Sequence, residues 1–341
     1  MAKALVLIAP GLLAWPRHEL ARSRSLATLA LLAAAPRSEP RGIAVAMLAA
    51  LGARDGAPVA PLALLGAGAD PGADYVLCAD PVYLVADRDT VVLAQVVDDL
   101  GEDAAHALVD ALNRHFADDD LRFESMRPDA WFARRHAAAD LVTTPPDAAR
   151  GRKLIASLPR GRDAAIFKRW QNEIEMLLHT HPVNAARDAR GAPLVSAVWL
   201  WGGGRLDDQG AMPVAHVVAG EGRLGDVARG VAAHGDGIAL PLRRESGLAR
   251  IVAGLRDAEP PSAATHVLAV LPATMDALSL DRDWLAPALA ELFARRVERV
   301  CVVADGHGAA VTWTLAPPRP WSRLMARAAR RRFEVPAAPD A

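Results

Sequence analysis

The positions of the apolar residues predict a chain in which buried strands alternate with helices. Short and almost continuous apolar runs are typical of strands that are covered on both faces. Such runs predict strands at Ala4–Ala9, Val214–Ala219, His266–Leu271 and Val300–Ala304. Apolar residues spaced three or four apart, with proline or glycine near the ends, predict helices at Arg17–Ala35, Arg41–Ala53, Arg223–His234 and Trp284–Arg295. This alternation favours a largely parallel sheet with helices on its faces.

The middle of the chain has a different pattern, in which short strands lie beside two amphipathic helices. The predicted strands are Tyr75–Cys78, Val82–Val85, Thr90–Ala94, Leu121–Met126 and Trp131–Arg135. The predicted helices are Glu102–Phe116 and Asp163–His179, and the second has a buried stripe of Ile166, Trp170, Ile174 and Leu178. Two segments rich in glycine, proline or alanine, residues 55–74 and 143–151, are predicted loops or boundaries.

These two patterns together predict the domain organisation. Residues 1–72 and 193–318 are expected to form a split α/β core with a mostly parallel sheet. Residues 73–192 are expected to interrupt this core as a smaller inserted α+β domain, and residues 319–341 to form a basic C-terminal tail.

The composition and the charge of the chain restrict the classes of protein to which it can belong. The chain has 341 residues, of which 52% are hydrophobic, and a net charge of −1, so it is expected to be globular and not to bind polyanions as a whole. Two cysteines supply neither a disulfide framework nor a metal-ligand spacing, which favours a reducing cytoplasm. The apolar run Leu26–Ala35 is shorter than the roughly 20 residues of a membrane span, so we expect no membrane segment.

The tail is the one strongly charged segment. Residues 319–332 contain six arginines and no acid, a pattern that could contact nucleic acid or an anionic membrane surface. We favour a solvated basic helix or a frayed terminus, because the net charge of the whole chain is close to zero. The sequence contains no helix-turn-helix or zinc pattern, so nucleic acid is not expected as a partner.

The segment HPVNAARDARGAPLVSAVWLWGGG, residues 181–204, concentrates the candidate chemistry. Pro182 suits the first turn of a helix and Gly191 its C-terminal cap, and the strand Leu194–Trp201 follows. Asn184 and Arg187 share a helix face, and a glycine run after a strand can present backbone N–H groups to an anion. The alternatives are an ordinary glycine turn, and two polar residues that only hold the helix against the strand. The predicted substrate-binding residues are His181, Asn184, Arg187, Gly202, Gly203, Gly204 and Arg205.

The same segment resembles that of the archaeal-type 2,3-bisphosphoglycerate-independent phosphoglycerate mutases. Matching residues include His181, Asn184, Arg187, Trp199 and Trp201, and the upstream stretches at 64–71, 73–84 and 98–116 are similar to the family in the same order. The chain also resembles a bacterial branch of RpfE-type regulatory proteins. The resemblance implies a core of the alkaline phosphatase superfamily with an inserted domain. It further implies two divalent metal ions and a serine nucleophile for phosphoryl transfer.

The sequence departs from the family at the residues that the resemblance makes catalytic. Pro10 stands where the family has a metal-binding aspartate, and the stretch between Ser38 and Ser125 contains no serine and only one threonine, Thr90. The strand His266–Leu271 is followed by a single acid, Asp276, without a histidine beside it. Asp305-Gly306-His307-Gly308 could bind metal, but we favour a hairpin turn there.

We therefore predict no catalytic residues, no metal ligands and no confidently assigned cofactor. The leading hypothesis is a non-catalytic regulatory or phosphometabolite-binding protein, whose partner is a phosphorylated small acid or another protein. The alternative is an active phosphoglycerate mutase or metal-dependent phosphatase with relocated ligands, which would use Mn²⁺ or Zn²⁺.

Overall fold

The computed structural model describes residues 4–15, 37–39, 42–87, 90–243, 247–249, 251, 266–306 and 309–317. The chain divides into two compact units of comparable length. The first comprises Met1–Ala53, Ala211–Gly220 and Val231–Ala341, and the second comprises Arg54–Gly210 and Glu221–Gly230. The predicted helix Arg17–Ala35 and the predicted tail 319–341 lie outside the described residues.

Strands and helices are numbered here in chain order. The strands are β1 Ala4–Ala9, β2 Arg37–Glu39, β3 Tyr75–Asp87, β4 Thr90–Val96, β5 Arg122–Arg127, β6 Ala130–Arg135, β7 Ala197–Gly204, β8 Val214–Ala219, β9 Ile238–Pro241, β10 His266–Val270, β11 Arg299–Gly306 and β12 Ala309–Leu315. The α-helices are α1 Ile43–Ala50, α2 Ala60–Gly66, α3 Glu102–His115, α4 Pro146–Ala149, α5 Leu154–Ser157, α6 Ala164–His179, α7 Pro182–Asp188, α8 Arg223–His234, α9 Ala277–Leu280 and α10 Ala286–Phe293. A π-helical turn, Asp281–Leu285, joins α9 to α10.

The first unit contains a seven-stranded sheet in the order β2-β12-β11-β1-β10-β8-β9. The five strands from β11 to β9 run parallel, and β12 and β2 add an antiparallel edge. The sheet is thus mostly parallel, as predicted. Every residue of β1, β8 and β10 is buried, which explains why their sequences are continuous apolar runs rather than alternating ones.

The second unit contains a five-stranded antiparallel sheet and several helices. Its strands lie in the order β4-β3-β6-β5, and β7 also pairs with the long strand β3, outside this order. Helices α3 and α6 contribute apolar side chains to one core with the sheet, and large members of that core include Leu112, Phe123, Trp131, Phe167 and Trp170. The mixed strands and helices agree with the predicted α+β pattern, and identification of this unit as the superfamily's inserted domain stays a prediction.

The structure moves the boundary between the two units. Strand β7 was expected in the core formed by residues 193–318, but it pairs with β3 from Ala197 to Gly204 and so lies in the second unit. Residues 55–74 were expected to be a loop or a boundary. The second unit begins just before them, at Arg54, but they contain the buried helix α2, whose Pro61 occupies the first turn, where proline is tolerated. The second unit is therefore larger at both ends than the predicted insertion at 73–192.

Two further expectations change in detail. The strands predicted at Tyr75–Cys78 and Val82–Val85 form one continuous strand of 13 residues, which is long enough for β3 to pair with three neighbours. In α6, Phe167 rather than Ile166 lies in the buried stripe, because the helix turns 100° per residue and places Phe167 nearer the sheet.

Helices α2 and α8 approach each other so closely that only glycine fits at the contact. A Cβ atom on Gly66 would lie 1.8 Å from the carbonyl oxygen of Asp226, and one on Gly230 would lie 1.8 Å from the carbonyl oxygen of Leu62. This contact fixes the first two turns of α8 within the second unit, where they place Asp226 and most of Arg223 in the interior and Arg229 at its border.

Candidate functional site

Helix α7 carries the first part of the predicted site, and its polar side chains bind other parts of the same unit. His181 is the N-cap, and its Nδ1 accepts a hydrogen bond of 3.2 Å from the backbone N–H of Val183. Burial, together with the nearby charge of Arg114, lowers the pKa of His181. The C-cap is Ala189 rather than the predicted Gly191, which lies two residues further along with a φ of 67°, and the N–H groups of Gly191 and Ala192 bond back to the last turn.

Asn184 is buried and uses its whole carboxamide on the backbone. Its Nδ2 donates to the carbonyl oxygens of Leu178 and Val195, each at 2.8 Å, and its Oδ1 accepts the N–H of Val195 at 2.9 Å. The side chain therefore joins the end of α6 to the segment that leads into β7. Asn113, at the end of α3, pairs in the same way with the N–H and C=O of Phe123 on β5.

Arg187 is also buried and bonded. Its Nε donates to the carbonyl oxygen of Pro193 at 2.6 Å, and its Nη2 donates to a carboxylate oxygen of the half-exposed Asp99. These contacts agree with one of the alternatives stated from the sequence, in which Asn184 and Arg187 only hold the helix against the strand that follows it. Whether either also contacts a ligand stays a prediction.

The three glycines at the end of β7 are also used in packing. Gly202 donates its N–H to Thr143 Oγ1 at 3.0 Å and accepts the N–H of Val59 at 3.0 Å. A Cβ atom on Gly203 would lie 2.5 Å from the hydroxyl oxygen of Tyr75, and one on Gly204 would lie 2.4 Å from Cβ of Pro58. The run is therefore part of a paired strand, so the expected loop of free backbone donors does not form at Gly202.

Arg205 lies at the same end of β7 and away from α7. Its Nη2 donates to the carbonyl oxygen of His136 at 2.7 Å, and its backbone N–H donates to Asp208. Asn184 and Arg187 instead bind Val195 and Pro193, before the strand begins. An eight-residue strand spans roughly 25 Å at about 3.3 Å per residue, so the structure does not bring the seven predicted residues together in one cleft.

The second unit contains a buried ion network that the sequence reasoning missed. Arg223, at the start of α8, donates to Asp80 on β3, and Asp80 also accepts the indole N–H of Trp201 at 2.6 Å. Burial alone would lower the pKa of Arg223, but Asp80 and the other nearby groups raise it above its usual value. Burial also raises the pKa of the neighbouring Cys78 thiol to about 12, so this thiol is not a nucleophile at neutral pH.

A second pair of contacts extends this network along α8. The carboxylate of Asp226, which is inaccessible to solvent, accepts hydrogen bonds from Arg127 on β5 and from Arg229 one turn along the helix. The charged residues of α8 occur at every third position, which places Arg223, Asp226 and Arg229 on one helix face. This spacing is the feature of the sequence from which the network could have been predicted. Such a buried network specifies one arrangement of α8 against the sheet.

The carboxyl edge of the parallel sheet in the first unit is where ligands bind in open α/β sheets. Pro10 and Gly11 follow β1 at this edge, and the N–H of Gly11 donates to Asp305 Oδ1 of β11 at 2.6 Å. Burial raises the pKa of Asp305. The antiparallel pairs Asp305–Ala310 and Gly306–Ala309 confirm the hairpin favoured from the sequence, whereas His307 lies outside the described residues.

Other candidate ligands do not assemble at this edge. Asp276 caps its own short helix by accepting the N–H groups of Leu278 and Ser279, and bonds to Ser279 lower its pKa. His266 begins β10 at the opposite end of the sheet. Within the described ranges, no three side chains of histidine, cysteine, aspartate or glutamate lie together as a metal site would require. The donors present there do not fit a two-metal centre.

The comparisons with known proteins give local sequence similarity to one enzyme family, and no family model matches the chain. Over 81 residues, 24% of this chain, it is 37% identical to the 2,3-bisphosphoglycerate-independent phosphoglycerate mutase of Methanothrix thermoacetophila, and this match covers 20% of that protein. Over 108 residues, 31% of this chain, it is 27% identical to the corresponding mutase of Methanosarcina barkeri and covers 27% of it. The chain therefore matches only about a quarter of the length of these relatives.

Similarity to solved structures extends over most of the chain. A protein of Pyrococcus horikoshii superposes with a TM-score of 0.51 and 15% identity over 93% of this chain and 87% of that chain. The cofactor-independent phosphoglycerate mutase of Thermoplasma acidophilum gives a TM-score of 0.42 at 16% identity, over 93% of this chain and 90% of that one. The first of these shows a shared fold, and the local matches support a phosphoglycerate mutase-like relationship. In the part of the chain that the structure describes, no helix is long and apolar enough to cross a membrane.

Proposed function

We propose that this chain is a phosphoglycerate mutase-like protein that binds a phosphorylated small acid or a protein partner without catalysing phosphoryl transfer. The observation that carries the proposal is the carboxyl edge of the parallel sheet. Its buried carboxylate, Asp305, is bonded to the backbone of Gly11, and the neighbouring residue Pro10 has no side-chain ligand atom. Two-metal phosphoryl transfer needs several anionic oxygen and imidazole ligands around two metal ions a few Å apart.

The missing hydroxyl nucleophile supports the same proposal. Covalent phosphoryl transfer through the enzyme requires a serine or threonine activated by a metal or a base. Thr90, which is the only hydroxyl amino acid other than tyrosine between Ser38 and Ser125, lies in the hairpin between β3 and β4 of the second unit. A regulatory role of the RpfE type would be consistent with a fold retained without this chemistry.

The test is a mutase assay combined with metal analysis on the same sample. The full chain is stripped with a chelator, reloaded separately with Mn²⁺, Zn²⁺ and Mg²⁺, and assayed for conversion of 3-phosphoglycerate to 2-phosphoglycerate. The Methanothrix thermoacetophila mutase, treated identically, is the control for reloading. We expect no turnover and less than stoichiometric tightly bound metal. Turnover with stoichiometric metal would instead establish the alternative, an active mutase or phosphatase with relocated ligands.

The choice of variants for the binding role follows from the site geometry. Arg187→Ala is a poor probe of ligand binding, because it removes two intramolecular contacts of a buried cation and lowers stability by itself. His181→Gln is more informative, since His181 lies at a helix end with one backbone contact. If residues 181–205 bind the acid, this variant should weaken the thermal shift that 3-phosphoglycerate produces, and an unchanged shift would place the ligand elsewhere.

A further inference from the structure

The second unit contains an open cavity of about 750 Å³, within the size range of small-molecule sites. It lies between the end of α3, the loop that follows, strand β5 and the end of β6. Its polar lining includes Asp119, Asp120, Arg122, Glu124, Arg135 and His136. None of these residues belongs to the predicted set at 181–205.

The four acidic groups of the cavity are already paired with donors of the protein, and the weakest pair is that of Asp74, whose Oδ2 lies 3.6 Å from Nη1 of Arg134. Asp119 accepts hydrogen bonds from Arg169 and from the indole of Trp170, and Glu124 accepts one of 2.7 Å from Arg134. Asp120 accepts the backbone N–H groups of His136 and Ala137. Desolvation would raise the pKa of Asp120, but these hydrogen bonds lower it to about 2. The carboxylates are therefore engaged by donors of the protein, and they offer little to a cationic ligand.

Arg135 is the cavity residue whose hydrogen-bonding capacity is least used. Its side chain is 10% exposed, and its Nε and Nη1 have no hydrogen-bond partner among the described residues. The guanidinium lies over the rings of Phe167 and Trp170, 5.6 and 5.5 Å from their centroids. The carboxylate of Asp120 forms an ion pair with Arg135, in which Oδ2 lies 3.6 Å from Nε, a distance longer than that of a good hydrogen bond.

Such a guanidinium is costly unless an acceptor is supplied. The ion pair with Asp120 compensates part of the charge of Arg135, but its Nε and Nη1 lose hydration without gaining a hydrogen bond, whereas stacking on two aromatic rings fixes the plane of the guanidinium in advance. Arginine held in this way is suited to bind a carboxylate or phosphate through its planar fork. The exposed side chains of Arg122 and His136 line the same cavity and would add positive charge around an anion.

We propose that this cavity, with Arg135 as its anchor, is the binding site for a small phosphorylated or carboxylated acid. The inference rests on the binding part of the proposed function and places the ligand outside residues 181–205. Binding requires no rearrangement of the motif, because Asn184, Arg187 and Gly202 keep their intramolecular bonds.

Titration calorimetry of the full chain with inorganic phosphate and with 3-phosphoglycerate tests this proposal. Arg135→Gln should weaken binding of both probes by about tenfold or more, as expected for the loss of a charge-assisted contact. Arg162→Gln is the matched control, since Arg162 is exposed and paired with Asp140, and neither of these residues lines the cavity. This control should bind within about twofold of the unsubstituted protein.

A second measurement uses the unsubstituted protein, so it does not depend on the variant folding. The ring signals of His136, which lines the cavity, should shift in a ¹⁵N NMR titration with either probe, whereas those of His179 on α6 should not. Equal binding by Arg135→Gln, or unchanged His136 signals at saturation, would overturn this inference alone. Absence of binding by the unsubstituted protein would overturn it together with the small-acid part of the proposed function. Mutase turnover would contradict only the non-catalytic proposal.

Discussion

The segment from His181 to Gly204 and the carboxyl edge of the parallel sheet differ in what their polar groups do. In the first region, Asn184, Arg187 and Gly202 bind neighbouring backbone or side chains within one unit. In the second, Asp305 bonds to Gly11 where the family resemblance implies a cluster of metal ligands. The sequence features that suggest the enzyme family thus include residues that hold the second unit together, and such residues can persist without the chemistry.

The largest expected effect comes from removing the Asn184 carboxamide. Asn184→Ala leaves the N–H and the C=O of Val195 without the partners that Asn184 supplies, at a cost of about 1–3 kcal/mol for each unsatisfied group, and it removes one of the two bonds to the carbonyl oxygen of Leu178, which keeps the N–H of His181. We expect a loss of roughly 3–5 kcal/mol in the free energy of unfolding, measured by urea denaturation. Asn113→Ala, which removes the similar but less buried pair with Phe123, is the control and should cost less. Equal losses would contradict the importance of burial at Asn184.

Arg187 tests whether its charge pair is structural. Arg187→Met keeps most of the apolar volume but removes the donors to Pro193 and Asp99, and should lower the free energy of unfolding by about 2–3 kcal/mol. Asp99→Asn should cost about 1 kcal/mol or less, because Asp99 is half-exposed. If Arg187→Met were as stable as the unsubstituted chain, the arginine would be free for another purpose and the comparison would fail.

Gly203 tests whether the glycine run is required for packing. In Gly203→Ala the added methyl group overlaps the buried ring of Tyr75, which must move, so we expect a loss of about 1–3 kcal/mol. Gly210→Ala is the matched control, because a Cβ atom there meets nothing within 4 Å. Chemical denaturation of both variants gives the difference, and a neutral Gly203→Ala would favour the flexible anion-binding loop instead.

The smallest effect is expected at Asp305, and it depends on pH. Burial raises the pKa of this carboxyl above its ordinary value of 3.8, so the folded state binds its proton more tightly than the unfolded state does. Its contribution to stability is therefore largest below pH 3.8 and declines as the pH rises through the raised pKa. Asp305→Asn, which keeps an acceptor for Gly11, removes this decline. The stability of the variant relative to the unsubstituted chain should rise between pH 4 and 7, and a pH-independent difference would contradict the assignment.

The strands and long helices could be predicted because their signals are local. Strands β1, β8 and β10 are buried on both faces and so are apolar apart from one histidine each in β8 and β10, and α8 begins and ends where its periodicity predicts. Helix α2 was missed because a buried helix of alanine, leucine and proline has no polar face. The extent of β3 was missed because Asp80 and Pro81 interrupt its apolar run, although partner strands carry it through them.

The site was less predictable, because the role of a polar residue depends on partners that are distant in sequence. Arg187 binds Asp99 over 88 positions, and Arg223 binds Asp80 over 143. A motif shows which residue types occur together, but the same asparagine or arginine can either bind a ligand or form hydrogen bonds with backbone groups of its own chain. The candidate cavity around Arg135 has no contiguous motif at all, since its lining comes from α3, β5, β6 and the loop after α3.

Helix α8 has a consequence for how the protein is made. The second unit includes Glu221–Gly230, which the ribosome synthesises only after the first-unit strand β8. Until Arg223 emerges, the nascent chain contains Asp80 without the cation that it binds in the folded protein. The interior of the second unit can therefore form completely only after Glu221–Gly230 have been synthesised. A gene fragment that ends at Gly210 would encode Asp80 without Arg223, the cation that it binds in the folded protein.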